Sequence, residues 1–141
     1  MKILIAVDGS AYTRKALDYL FSHRAIFVDG HQLVVVHVCT GVSANVARHL
    51  SKEVVAGYYA EESAKVLDPV KALFAEKGLS NYTIDSRHGH AAEEILKAAN
   101  DAQAELMVLG THGHGIFGRA LMGSVSTKVL SETDITVLLV Q

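Results

Sequence analysis

Leu106-Met107-Val108-Leu109-Gly110-Thr111-His112-Gly113, then nine residues from His114 to Met122, then Gly123-Ser124-Val125-Ser126, is the stretch whose reading decides the fold. An apolar run of strand character passes through glycines into an amphipathic segment, residues 125–130. A strand entering a helix through such a turn is half of a βαβ unit, the repeat that builds parallel sheets. Glycine lacks a Cβ, so the turn can bend sharply and let a bulky anion approach the backbone. The helix that follows aims its unpaired N–H groups and the positive end of its dipole at the same anion. Ser124 and Ser126 add hydroxyl donors at that helix start. The pattern suits a polyphosphate.

Outward from this stretch the alternation repeats. Apolar runs at 3–7, 33–38, 82–86 and 135–140 join the one at 106–109. Four are near-continuously apolar, as strands buried on both faces of a parallel sheet are. The exception, Tyr82-Thr83-Ile84-Asp85-Ser86, alternates and suits an edge. Between the runs lie helical segments. Ser10 can cap one in which Ala16, Leu17, Leu20 and Phe21 share a face. Val46, Leu50, Val54, Gly57, Ala60, Ala64, Leu67, Val70 and Phe74 predict a long helix over 43–77, with 40–55 open to a loop reading. Pro69 should kink or restart it and Gly78 close it. Residues 91–102, with Glu93 and Glu94 in a favourable first turn, and 124–132 complete the set. Strands alternating with helices imply one α/β domain over 1–141, a doubly wound parallel sheet with helices on both faces. Ligands of such sheets sit beyond the carboxyl ends of the strands, where strand order switches. Asp8, His37-Val38-Cys39 and Gly110 all fall at such ends.

Composition narrows the function. The 141 residues are 50% hydrophobic and 20% charged, enough apolar surface for a packed core. A formal charge of −2 gives no electrostatic case for nucleic acid or an anionic membrane. The one cysteine, Cys39, excludes an intrachain disulfide and fits a reducing cytosol, so a cytoplasmic protein is expected. The first apolar run is cut by Asp8, too early for a secretory leader, and no stretch reaches membrane-spanning length.

Two better-known phosphate motifs do not apply. Gly113-His114-Gly115-Ile116-Phe117-Gly118 has the spacing of a dinucleotide fingerprint, but that fingerprint belongs at the first βα turn with an acidic residue ending the next strand. No glycine-lysine-serine/threonine run exists to form a P-loop.

Gly110, two residues, Gly113, nine residues and Gly123-Ser124 resemble, without a gap, the nucleotide motif of the ATP-binding universal stress proteins. The resemblance spans nearly the whole chain. It takes in Ile3-Leu4-Ile5-Ala6-Val7-Asp8-Gly9-Ser10, His37-Val38, and Gly89 followed by Glu94-Ile95. It implies a five-stranded sheet of order 3-2-1-4-5. It implies that Ala6, Val7 and Asp8 border the adenosine, with Asp8 near the ribose, and that the Val38 backbone meets the adenine edge. Gly110, Gly113, Gly123, Ser124 and Ser126 would hold the phosphates, with Leu109, His112 and Val125 beside them. ATP, with Mg²⁺ carried in on its phosphates, is the implied ligand, and a homodimer joined through strand 135–140 the implied assembly. His114 stands where relatives often carry Arg or Lys, and Ala91 and Thr136 where proline is common.

The remaining residues are open to plainer readings. Asp8 can contact ligand, or simply accept N–H bonds at a helix start. His88-Gly89-His90 and His112-Gly113-His114 invite a zinc site, yet the order 3-2-1-4-5 separates their strands by two others. No Ser-His-acid set is evident, and Cys39 reads as a small core residue. Tyr58 and Tyr59 read as packing residues. Three functions follow: a nucleotide-binding stress-response protein with slow hydrolysis at most, a nucleotide hydrolase or transferase using the same pocket, or an interaction module with a vestigial pocket. Arg119 is the one cation near the motif that phosphoryl transfer could recruit.

Overall fold

The computed structural model describes residues 1–41, 43–111 and 123–141. Its elements run β1 (Lys2–Ala6), α1 (Ala11–Ser22), α2 (Arg24–Phe27), β2 (Gln32–Cys39), α3 (Ala44–Ala47), α4 (Lys52–Glu76), β3 (Tyr82–His88), α5 (Ala91–Ala102), β4 (Leu106–Gly110), α6 (Ser124–Glu132) and β5 (Thr136–Val140). All four strand pairings are parallel, and the order is β3-β2-β1-β4-β5. This is the expected doubly wound sheet.

Side-chain alternation sorts the core into two layers. Ile3, Ile5, Leu33, Val35, Leu106 and Val108 face Ala16, Leu17 and Leu20 of α1 and Leu67, Val70, Leu73 and Phe74 of α4. Leu4, Val34, Val36, Met107 and Leu109 face Ala92, Ile95, Ala98 and Ala99 of α5 and Val129 of α6. The central strand β1 is buried on both faces, whereas the expected edge strand β3 alternates. Both connections between β1 and β3 use helices on one face, and both connections from β3 to β5 use the other. The chain therefore leaves β1 and β4 in opposite directions, and a crevice opens between them.

The long helical expectation needs two corrections. The segment is not continuous: α3 ends after one turn, and α4 starts afresh at Ser51, whose hydroxyl accepts the Val54 amide. The apolar spacing runs on through the break, but its early members stay in water, with Val46, Leu50 and Val54 exposed by 50%, 40% and 53%. α4 buries residues only from Ser63 onward. Pro69 does not restart the helix, which runs unbroken from Lys52 to Glu76. It lies on the exposed side, where water can satisfy the Lys65 carbonyl that its missing N–H would have bonded. Gly78 closes α4 as expected, at φ +71.

Candidate functional site

A cavity of about 740 Å³ fills the crevice at the carboxyl edge of the sheet, a size typical of small-molecule sites. Ala6, Val7, Asp8, Val38, Leu109, Gly110, Gly123, Ser124, Val125 and Ser126 all line it. His112, Gly113, His114 and Arg119 lie outside the described residues.

On the β1 side, Asp8 Oδ1 accepts the Ser10 amide at 2.9 Å and the Thr13 hydroxyl at 2.6 Å. Thr13 Oγ1 in turn accepts the Asp8 amide at 3.2 Å. Ser10 caps α1 by accepting the Thr13 amide at 3.3 Å. The two readings of Asp8 thus meet in one residue, since it borders the cavity while organising the first turn of α1. Thr13, which fixes the carboxylate, went unnoticed in the sequence, although it stands three residues after the cap.

On the β4 side the start of α6 is built differently. Thr111 donates its amide to the Val140 carbonyl at 3.1 Å, and its own carbonyl accepts the Gly123 amide at 2.6 Å. The Ser126 hydroxyl donates to the Gly110 carbonyl at 2.8 Å. These bonds tie the first turn of α6 to the end of β4 and to β5. Gly123 occupies the N-cap position with no side-chain bond, and among the described residues no side chain caps the leading N–H groups of the helix. Ser126, expected to donate to phosphate, spends its proton on Gly110 and is buried. Ser124, the first helical residue, is exposed.

Gly110 and Gly123, the two motif glycines among the described residues, act for reasons other than sharp turning. Gly123 has an ordinary extended φ of −57. At Gly110 an added Cβ would lie 3.0 Å from Tyr12 Cβ and 3.2 Å from its carbonyl carbon. The absent side chain lets α1 pack against β4. Positive φ is instead needed at Gly41, at +68, where a Cβ would sit 2.5 Å from the Tyr59 ring. Tyr59 stacks on His88 with ring centroids 4.5 Å apart, and so pins the loop after β2. Tyr59 is thereby a packing residue, while Tyr58 faces the cavity.

β2 outruns β1. The Val36 carbonyl accepts the Val7 amide at 2.9 Å, the last bond between the two strands. Backbone groups two residues apart point to the same side of a strand, so Val38 turns its amide and carbonyl into the space that β1 has vacated. α4 adds a wall that the sequence reading did not anticipate, comprising Tyr58, Glu62, Lys65 and Val66. Lys65 Nζ lies 2.8 Å from Glu62 Oε1. The hydrogen bond to Glu62, then its charge, pushes the Lys65 pKa up, so the cavity rim carries a cation. Arg87, by contrast, is occupied. It bonds Asp101 at 2.8 Å and Asp85 at 3.0 Å, with Glu94 at 3.5 Å, and the Asp101 bond leads in raising its pKa. Among the described residues no three His, Cys, Asp or Glu side chains group closely enough to hold a metal. Cys39 is buried, and among the described residues no helix is long and apolar enough to cross a membrane.

Comparison with known proteins agrees with this architecture. The model of the universal stress protein family matches residues 1–141. Universal stress protein YxiE of Bacillus subtilis is 32% identical over 148 residues, covering 99% of this chain and 98% of its own. A universal stress protein of Thermus aquaticus is 32% identical, with 99% and 97% covered. Universal stress protein UspA from Lactobacillus plantarum superposes with a TM-score of 0.82 at 18% identity, over 100% and 97% of the two chains. A universal stress protein from Archaeoglobus fulgidus in complex with dAMP gives 0.65 at 18% identity, over 100% and 98%. Another, in complex with cAMP, gives 0.67 at 22% identity, over 100% and 97%. At these identities the structural likeness speaks for the fold, while the family model and the two sequence relatives carry the assignment: the chain belongs to the universal stress protein family.

Proposed function

We propose that this single domain binds an adenine nucleotide, ATP by resemblance, as a ligand in a cytoplasmic stress response, and hydrolyses it slowly if at all. The observation that carries the reading is the first turn of α6, uncapped among the described residues and tethered at one end of a nucleotide-sized cavity. Its N–H groups and dipole suit phosphate oxygens. Val38, two strands away, offers an amide and a carbonyl to a base edge, and Asp8 lies between. The adenine nucleotides held by two structural neighbours support adenine over guanine. Mg²⁺ would come with the ligand, coordinated by phosphate oxygens and water. The edge strand β5, part-buried over Val137, Leu138 and Leu139 and free of proline and of charge, suits antiparallel pairing with a second copy.

Thermal unfolding tests the proposal. Mg·ATP at a hundred times its dissociation constant should stabilise the fold by about 2.7 kcal/mol, a rise of several degrees. GTP should do less. No shift at millimolar ATP, together with no adenine nucleotide in native mass spectra of the purified protein, rejects it.

A further inference from the structure

We propose that His37 is a ligand-recognising residue whose Nε2 accepts a hydrogen bond from an uncharged donor of the nucleoside, either a ribose hydroxyl or the base amino group. The proposal rests on the nucleotide reading above and deepens it. His37 stands on β2 beside Val38 and lines the cavity. It is only 7% exposed, although its imidazole is polar. Nδ1 lies 3.0 Å from the Val7 carbonyl oxygen. A carbonyl can only accept, so Nδ1 carries the hydrogen, and in the neutral ring Nε2 keeps its lone pair. No described residue bonds Nε2. A buried acceptor with no partner among the described residues is costly unless something else satisfies it, and the cavity is where that partner can come from.

The chemistry also selects the partner. A lone pair repels phosphate oxygen and attracts an O–H or N–H, so this end of the cavity suits the nucleoside. The first turn of α6 lies across two strand spacings, roughly 10 Å away, and suits the phosphate. The two ends therefore orient the ligand. The Val7 carbonyl that holds the ring precedes Asp8 directly, so the same turn that sets the carboxylate sets the imidazole.

The test pairs two variants with a set of nucleotides, each binding measured by calorimetry on the full chain. His37→Asn keeps a side-chain N–H for the Val7 carbonyl but places nothing at Nε2. His37→Gln puts an amide oxygen near the Nε2 position. The ligands are AMP, ATP, the 2′-deoxy and 3′-deoxy forms of AMP, and purine riboside monophosphate, which lacks the amino group. The unaltered protein should bind one of the three analogues about tenfold more weakly than AMP. The analogue affected tells whether a hydroxyl or the amino group is the donor. His37→Asn should bind AMP about tenfold more weakly and lose that discrimination, and His37→Gln should recover part of both. If the protein binds AMP but every analogue ratio is the same in His37→Asn, the inference is wrong and the nucleotide site stands. A loss in His37→Asn that grows from AMP to ATP instead makes the ring a phosphate contact and overturns it too. If the unaltered protein binds none of these ligands, the site reading falls and takes this one with it.

Discussion

Helices α1 and α6 both start at the carboxyl edge of the sheet, on opposite sides of the switch in strand order, yet their first turns are finished differently. α1 is closed by its own chain, with Ser10 taking the Thr13 amide and the Asp8 carboxylate taking the Ser10 amide and the Thr13 hydroxyl. α6 is held from behind by Thr111 and Gly110, and among the described residues no side chain closes it in front, since Gly123 brings none. A carboxylate at a helix start satisfies the dipole locally, whereas an open start leaves that role for an anion from outside. The difference divides the cavity in chemical terms: the β1 side presents a carboxylate acceptor, and the β4 side presents the positive end of a helix.

The largest expected effect breaks the contact that brings the two helices to one cavity. Gly110→Val would drive a branched side chain into the Tyr12 backbone of α1. It should cost about 3 kcal/mol, read as a drop of roughly 10 °C in melting temperature. A change under two degrees would mean that α1 can retreat freely. Next comes the closed start itself. Thr13→Val removes the hydroxyl that bridges the Asp8 carboxylate and amide, and should cost about 2 kcal/mol. It should also weaken nucleotide binding by freeing Asp8, and calorimetry that finds affinity intact would separate Asp8 from the ligand. The smallest change in stability sharpens the contrast most. Gly123→Asp gives α6 the kind of cap that α1 already has, at a φ that aspartate adopts without strain. The ligand-free fold should gain roughly 0.5 kcal/mol, while ATP affinity falls at least tenfold. Equal ATP binding in the variant and the parent would show that phosphate lies elsewhere.

Much of this was legible in the sequence. The buried strands showed as apolar runs, β3 as an alternating edge, and α1 through its Ser10 cap, because each depends on neighbours a few residues away. The order of the strands came through the family resemblance and not through hydropathy, which does not distinguish one arrangement of buried strands from another. What stayed hidden depends on contacts made across the fold. The imidazole of His37 has meaning only against a carbonyl thirty residues earlier. Ser126 reads as a phosphate donor until Gly110 takes its proton. Val46, Leu50 and Val54 continue a helical spacing that the chain breaks at Ser51, since periodicity records which residues could share a face but not whether anything covers it.

The hydrogen bond from the Gly123 amide to the Thr111 carbonyl also bears on how this family can vary. That bond joins residues 111 and 123, so the chain between them is closed into a ring by one hydrogen bond. The entropy of closing such a ring grows slowly, by only about 0.6 kcal/mol for each doubling of its length. A change of length within it therefore costs little closure entropy. The clasp, and with it the direction in which α6 points, stays where β4 and β5 put it. The length of chain between residues 111 and 123 can thus vary without retuning the domain that anchors its two ends.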